Sequence, residues 1–180
     1  MQPSEEQVYI DKVKKGDSAA YRYLVDKYQD MAYTIALRIM RQAEDAEDAA
    51  QEGFVKAYQQ LHSFEGKSKF STWLYTIIYR TCLSKLQKQR IPAYPMEEGI
   101  DDTDDTVPPL DILETMEKQT YIREAIGRLP SIDGVLITLY YLNENSIREM
   151  AEITGLSESN IKVKLFRARK TLEQQLRFLL

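Results

Sequence analysis

The stretch FEGKSKFSTWLYTIIYRTCLSKLQKQR, from Phe64 to Arg90, combines a helical pattern with six cations and contains no acidic residue from Lys67 onward. Gly66 and Lys67 predict a turn, Ser71 predicts a helix N-cap, and a helix should follow to about Arg90. Spacings of three to five residues predict which side chains of that helix are buried. The predicted buried stripe consists of Phe70, Leu74, Ile77, Thr81 and Leu86.

Aromatic rings alternate with the cations along this stretch. The helical period directs Tyr75, Tyr79 and Arg80 largely away from the buried stripe, whereas Trp73 is expected in the core because large rings are usually mostly buried. Cations can follow a phosphate backbone while rings stack on unpaired bases. The stretch therefore predicts contact with single-stranded or opening nucleic acid, the alternative being an aromatic core with a solvated basic rim.

The overall composition restricts the classes of function. The chain has 180 residues, a formal net charge of −4, one cysteine (Cys82) and one histidine (His62). These numbers exclude an intramolecular disulfide, a thiolate metal cluster and any site with two imidazoles, and they favour Cys82 as a small apolar core residue over a redox switch. No apolar run approaches the roughly 20 residues that span a bilayer, and the N-terminus lacks a secretory pattern, so we expect a cytoplasmic protein without membrane insertion.

Charge is distributed unevenly along the chain. Residues 91–118 contain nine carboxylates and one lysine, a formal charge of −8, which leaves +4 for the rest. The segment IPAYPMEEGIDDTDDTVPPLD contains four prolines and little apolar periodicity, as in an extended, self-repelling linker. We therefore predict a domain at 1–90, an acidic flexible linker at 91–112 and a second domain at 113–180.

Apolar periodicity elsewhere is helical, and no stretch alternates with period two for long enough to form a sheet. The predicted fold class is all-α, with two small helical bundles joined by the linker. The expected helices are Pro3–Lys15, Asp17–Met40, Ala43–His62, Ser71–Arg90, Leu110–Leu129, Ser131–Leu142, Ser146–Thr154 and Ser157–Leu179.

A helix-turn-helix is the sharpest motif of the second half. Ser146 and Glu149 have the spacing of a capping box, Gly155 ends that helix, and Ser157 caps the next one. No carboxylate lies between Asn160 and Leu172, so the last helix should present a basic face and could enter a major groove with its N-terminus first. The inward residues are predicted to be Ile161, Leu165, Ala168 and Leu172.

Two runs of sequence carry a family resemblance. DAEDAAQEGFVKAYQQLHSFEGKSKFSTWLYTI, from Asp45 to Ile77, resembles region two of the bacterial extracytoplasmic-function sigma factors, and the segment from Leu129 to Leu172 resembles their region four. The resemblance implies a factor that binds core RNA polymerase and promoter DNA and directs initiation. It also implies an anti-sigma partner and needs neither cofactor nor metal.

The resemblance further implies three sets of contact residues. The set for polymerase binding is Asp45, Asp48, Gln51, Glu52 and Val55, and charge reversal at Asp48 and Glu52 is expected to spare the fold. The set for the minus-ten element is Phe64, Lys67, Ser68, Lys69, Tyr75, Tyr79 and Arg80. The set for the minus-thirty-five element is Ser157, Ser159, Asn160, Lys162, Val163, Phe166, Arg167, Arg169 and Lys170.

Three departures from the family pattern leave the promoter sequence open. Arg80 stands where relatives commonly have asparagine, and Val163 stands where a small polar residue is usual. The segment SIDGVLI also lacks an arginine that is usual after the Leu-Pro motif. A valine suits a thymine methyl better than a hydrogen bond.

Two other functions fit part of the sequence. A stand-alone helix-turn-helix regulator would use the first bundle as a dimerisation or sensor module and would bind duplex tightly by itself. A helical metal-dependent nucleotide hydrolase would need carboxylates from facing helices. The acidic run near Glu44 and Asp48 could supply one set, but Asp26 and Asp30 make a sparse second set.

Overall fold

A computed structural model of the chain describes residues 4–88 and 116–177, which fall into two compact units. We call residues 4–88 the first unit and residues 116–177 the second unit. Both consist of helices and connecting turns, and no strand occurs in either described range. The predicted all-α fold class is therefore confirmed, whereas the predicted linker at 91–112 and the domain boundaries beside it lie outside the described residues.

The first unit is a bundle in which α2, α3 and α4 pack against one another, while α1 packs on α2 and on the short turn that follows α3. Its elements are α1 (Glu5–Lys14), a 3₁₀ turn (Ser18–Ala20), α2 (Tyr21–Met40), α3 (Ala43–Gln60), a second 3₁₀ turn (Leu61–Ser63) and α4 (Phe70–Lys88).

Local signals set the beginnings of α1 and α2. The Ser4 hydroxyl accepts a hydrogen bond from the Gln7 backbone N–H at 3.2 Å, so α1 begins two residues later than predicted. The Asp17 carboxylate accepts from the Ala20 N–H at 3.3 Å and caps the 3₁₀ turn, so α2 begins at Tyr21, four residues after its predicted start at Asp17. Gly16 adopts a φ of +101° between the two helices, a conformation that suits glycine.

Small residues let α3 approach α4 closely. A Cβ atom on Gly53 would lie 2.3 Å from Cδ1 of Ile78, so the two helices are in close contact at this glycine, and a larger residue would require the Ile78 side chain to move. The apolar side chains that α3 and the turn after it bury in the core include Ala46, Ala50, Phe54, Ala57 and Leu61.

The prediction for α4 was wrong in two respects. The helix begins at Phe70, before Ser71, and the Trp73 backbone N–H donates to the Lys69 carbonyl at 3.1 Å. Its buried surface is also wider than one stripe, because both α2 and α3 pack against it. Two residues of the predicted stripe, Ile77 and Leu86, lie at the edge of that surface and are only half-buried. The buried residues are Phe70, Thr72, Leu74, Tyr75, Ile78, Tyr79, Thr81 and Cys82.

The second unit contains four helices and a π-helical turn. The last helix ends at Gln175, four residues before the predicted end at Leu179, and the predicted start near Leu110 lies outside the described residues. The elements are α5 (Met116–Arg128), α6 (Ser131–Ile137), the π-helical turn (Thr138–Leu142), α7 (Ile147–Thr154) and α8 (Glu158–Gln175).

The predicted caps of the helix-turn-helix are confirmed. The Ser146 N–H donates to Oε2 of Glu149 at 2.8 Å, and the Glu149 N–H donates back to Oγ of Ser146 at 3.2 Å. Gly155 adopts a φ of +76° at the turn, and Oγ of Ser157 accepts from the Asn160 N–H at 3.3 Å. The four residues of α8 that were predicted to face inward, Ile161, Leu165, Ala168 and Leu172, are all buried.

Candidate nucleic-acid interface

The loop at residues 64–69, which leads into α4, presents cations to solvent. Lys67 and Lys69 are exposed, and Ser68 between them is half-buried. Gly66 allows the turn with a φ of +72°, and Lys67 forms an exposed ion pair with Glu65. Because an exposed ion pair of this kind is weak, Lys67 can exchange Glu65 for a phosphate at little cost.

Phe64 is a core residue, which corrects its assignment to the minus-ten contacts. Its side chain is 5% exposed, and its ring meets Phe70 edge-to-face at a centroid distance of 5.5 Å. Trp73, expected in the core, is half-buried and lies 5.3 Å from Phe64 and 5.7 Å from Phe70. Phe64 therefore shapes the loop from beneath and offers no free ring face to a base.

Tyr75 and Tyr79 are also wrongly assigned to DNA. Their side chains are 1% and 4% exposed, and burial raises the pKa of Tyr79 to about 12. The Tyr75 ring packs edge-to-face on Tyr28 at 6.1 Å. Arg80, by contrast, is exposed on α4 as predicted and can reach a partner.

The outward face of α3 forms a second candidate surface. Asp48 and Gln51 are exposed, Asp45 is half-buried, and Val55 is 54% exposed. Tyr58 is an exposed ring on the same face that the sequence analysis missed, although its spacing from Gln51 and Val55 could have revealed it. A stripe that mixes exposed apolar and acidic side chains suits a protein partner better than an acidic nucleic acid.

Glu52 was predicted to contact polymerase together with these residues, but its carboxylate is paired within the protein. Its carboxylate lies 2.7 Å from Nζ of Lys56 and 3.0 Å from Nζ of Lys85. Hydrogen bonds from these two lysines lower the pKa of Glu52. Since Lys85 is on α4, Glu52 ties α3 to α4, and reversal of its charge would disturb the unit as well as any interface.

The first unit offers no reactive or metal-binding centre among its described residues. Cys82 is buried, and burial raises the pKa of its thiol to about 12, which fits the predicted core role. Asp26 is engaged with Arg22 at 3.6 Å. In residues 4–88 and 116–177, no three histidine, cysteine or acidic side chains are grouped closely enough to hold a metal ion.

The exposure of the residues predicted to contact DNA varies along α8 in the second unit. Ser157 and Ser159 are exposed at its start, followed by half-buried Asn160, Lys162 and Val163. Further along, the exposed residues are Phe166 (44% exposed), Arg167 and Lys170.

Arg169 and Lys164 of α8 are each paired with an acidic side chain of the protein. Arg169 donates through Nε to Oε1 of Glu173 at 2.9 Å, so a phosphate would have to displace that carboxylate. Nζ of Lys164 lies 3.7 Å from Oδ1 of Asp133 on α6 and fastens the two helices. Burial raises the pKa of Asp133, although the charges of Lys164 and Arg167 act in the opposite direction.

Comparison with known proteins covers both surfaces. Residues 24–91 match the family model of Sigma-70 region 2, and residues 119–172 match that of Sigma-70 region 4. The chain is 34% identical over 178 residues to the ECF RNA polymerase sigma factor SigW of Bacillus subtilis, covering 93% of this chain and 95% of that protein. This chain is an extracytoplasmic-function sigma factor.

Further relatives of the sigma factor are similar over their whole lengths. The ECF RNA polymerase sigma-E factor of Escherichia coli is 30% identical, with 94% of this chain and 93% of that protein covered. The RpoE sigma factor of Bartonella quintana, solved in complex with the anti-sigma factor NepR, has the same fold, with a TM-score of 0.65 and 22% identity over 87% of this chain and 96% of that one.

The matched ranges include both candidate DNA surfaces but not every element around them. The range 24–91 contains α3, the loop at 64–69 and α4, whereas α1 precedes it. The range 119–172 contains α7 and most of α8. Across the described part of this sigma factor, every helix is too short or too polar to span a membrane.

Proposed function

We propose that this sigma factor binds core RNA polymerase and directs promoter-specific transcription initiation. The supporting observation is the order of the two matched regions, region 2 followed by region 4, each in its own compact unit with an exposed cationic surface. The sigma family is not a class of enzymes, so the chemistry of RNA synthesis belongs to the polymerase. The factor would act without a cofactor.

The polymerase contact in this proposal is the outward face of α3. Asp45, Asp48 and Gln51 supply polar groups, and Val55 supplies an apolar one. We add Tyr58 to this set, because an exposed ring beside an exposed valine is typical of the centre of a protein interface. Glu52 is assigned to holding α3 against α4.

The minus-ten contact is assigned to Lys67, Ser68, Lys69 and Arg80. These residues can hold the strand by its phosphates and by hydrogen bonds while one base leaves the stack. Extrusion of a base costs about a few kcal/mol, which contacts around the base must offset. The buried rings beneath the loop provide the rigid floor that such a pocket needs.

The minus-thirty-five contact is assigned to the exposed face of α8. Residues near its N-terminus lie where a recognition helix reads base edges, and those further along are placed for phosphates. Val163 is assigned to a thymine methyl. The base-reading set is Ser157, Ser159, Asn160, Lys162 and Val163, and the flanking set is Phe166, Arg167, Arg169 and Lys170.

We further propose that an anti-sigma protein controls this factor in the cytoplasm. The solved structure of CnrH in complex with the cytosolic domain of CnrY shares the fold with a TM-score of 0.62, at 19% identity over 94% of this chain and 96% of that one. Likeness at this identity supports the fold, and the proposal of such a partner rests on membership of the family.

Transcription in vitro with core polymerase and a randomised promoter library tests the proposal. A sigma factor should enrich templates that share two separated elements, and Asp48→Lys should reduce polymerase binding without changing helix content. Asp30→Lys, the same charge change at an exposed position of α2, is the matched control. Tight binding of duplex by the free protein, without transcription by core enzyme, would instead identify a stand-alone regulator.

A further inference from the structure

Helix α1 lies outside the matched region 2 range and contains none of the residues assigned to polymerase or DNA. It nevertheless contacts the segment that carries the minus-ten residues. We call residues 64–69 the minus-ten loop. Helix α1 contacts the first residue of this loop directly, and it is linked to Phe70, the residue after the loop, through Tyr28 of α2.

Lys14, the last residue of α1, holds the start of the minus-ten loop. Its Nζ donates a hydrogen bond to the backbone carbonyl of Phe64 in a partly buried setting. The same Nζ lies 5.7 Å from the centroid of the Phe64 ring, within the range of a cation–π interaction. One ammonium group therefore fixes both the backbone and the ring of the residue at which the loop begins.

Glu6, in the first turn of α1, acts at the other end of the loop through an aromatic neighbour. Its Oε2 accepts a hydrogen bond from the Tyr28 hydroxyl and lies 3.1 Å from Nζ of Lys27. The Tyr28 ring lies 5.6 Å from Phe70, the first residue of α4. Since burial and Glu6 raise the pKa of Tyr28, its hydroxyl keeps the proton that it donates.

The two ends of the loop are also joined to each other. Phe64 and Phe70 meet edge-to-face, and Trp73 packs on both rings. The rings point into the unit, while Lys67 and Lys69 are exposed on the side that faces solvent. A loop anchored at both ends in this way presents its cations in a defined arrangement before DNA arrives.

We propose that α1 orients the minus-ten loop and that Lys14 is a positioning residue for promoter opening. This inference rests on the proposed function of the loop. An unanchored loop would have to lose backbone freedom on binding the opened strand, and that loss would weaken binding. The tie from Lys14 to Phe64 removes part of this loss in advance, without any contact between Lys14 and DNA.

A role in stability alone would have different consequences. Removal of a purely structural contact would lower the helix content or the polymerase affinity together with opening. Removal of a positioning contact should change only the conformation of the minus-ten loop and the step that uses it. Trp73 is the one tryptophan of the sequence and packs on Phe64, so its fluorescence reports on this loop.

The experiment compares three variants of the full chain, Lys14→Met, Lys14→Arg and Lys15→Met, each bound to core polymerase. The promoter is one that the unaltered protein selects from the randomised library. Lys15 is exposed one residue later and loses the same charge in the control. We expect Lys14→Met to lower the open-complex yield, read by permanganate reactivity of thymines, by about tenfold. Lys14→Arg should recover most of it, and Lys15→Met should match the unaltered protein.

Polymerase affinity and helix content should be unchanged in all three variants. In the free protein, Lys14→Met should also shift Trp73 emission to longer wavelength and increase its quenching by acrylamide, whereas Lys15→Met should do neither. This second measurement requires no polymerase, so it tests the tie between α1 and the loop even if the proposed function fails.

Three results would overturn the inference. The first is normal opening by Lys14→Met, and the second is an equal loss in Lys15→Met, which would indicate a general charge effect. The third is a loss of helix content or polymerase affinity in Lys14→Met, which would make Lys14 a stability residue. Failure of the unaltered protein to initiate with any template would overturn the proposed function instead.

Discussion

The two units present their candidate DNA surfaces in different ways. In the first unit, a short loop carries the cations, and its shape depends on the buried rings of Phe64 and Phe70. In the second unit, one regular helix buries Leu165 and Ala168 on one side and exposes Phe166 and Arg167 on the other. Core and binding surface are therefore mechanically linked in the first unit and separate in the second.

This difference predicts which substitutions should change both stability and DNA binding and which should change binding alone. A core change in the first unit should alter both stability and the shape of the DNA surface. A change at a surface residue of α8 beyond its Ser157 cap should alter binding alone, because the cap and the buried side of the helix are kept. Variants in the two units can test whether core and DNA surface are linked in the first unit and separate in the second.

Phe70→Ala should lower the free energy of unfolding of the first unit by about 3–5 kcal/mol, because it removes a buried ring that contacts Phe64 and Trp73. Denaturant unfolding checks the stability of both units, measured by Trp73 fluorescence for the first unit and by circular dichroism of the helices for the second. Phe166→Ala, a matched change at an exposed ring, should alter stability by less than about 0.5 kcal/mol while it weakens DNA binding. Equal stability losses in the two variants would remove the contrast between the units.

Gly53→Ala should destabilise the first unit by about 1–3 kcal/mol, since its Cβ would overlap Cδ1 of Ile78. The double variant Gly53→Ala/Ile78→Val should be more stable than Gly53→Ala, because valine lacks that methyl group. Thermal unfolding of the two proteins measures the difference. A Gly53→Ala protein as stable as the original would show that Cδ1 of Ile78 can move aside without cost.

Lys162→Ala in α8 should cost about 1–3 kcal/mol of DNA affinity and blur selectivity for the minus-thirty-five element if Lys162 reads a base. Lys170→Ala, at an exposed position further along the same helix, should weaken binding to all sequences alike. Affinities of the polymerase-bound factor for a panel of altered sites distinguish these patterns. Uniform weakening by both variants would reassign Lys162 to phosphates.

Glu52→Gln should change the pH dependence of stability in the first unit. The lysines beside Glu52 lower its pKa in the folded state. The stability that the ionised Glu52 contributes is therefore fully present above about pH 4.5 and is lost as the pH falls through the folded-state pKa. The original protein should therefore lose more stability than Glu52→Gln on acidification below about pH 4.5. The effect should be small because the side chain is partly exposed. If the two proteins lost stability equally as the pH falls, that result would contradict a stabilising ion pair of Glu52 with Lys56 and Lys85.

The second unit was largely predictable because its signals are local. The capping box of Ser146 and Glu149, the turn at Gly155 and the cap at Ser157 each depend on residues within one helical turn, and all three occur in the structure. The period of α8 also gave the correct buried side. What the sequence could not show was the tie from Lys164 to Asp133, because it joins two helices far apart along the chain.

The first unit was harder to predict because tertiary packing decides which rings are buried. Helical period alone directed Tyr75 and Tyr79 outward, but α2 and α3 cover two sides of α4 and enclose both rings. Phe64 lies in a loop, where no period indicates its direction. Basic and aromatic composition correctly located Lys67, Lys69 and Arg80 at the surface, since cations avoid burial.

A footprint of the promoter complex, with permanganate detection of opened thymines, tests the central claim most directly. With core polymerase present, we expect two separate protected segments and opened bases only in the downstream one. The free protein should give at most weak protection of duplex and no opening. Strong protection by the free protein, unchanged by polymerase and without opened bases, would contradict the account.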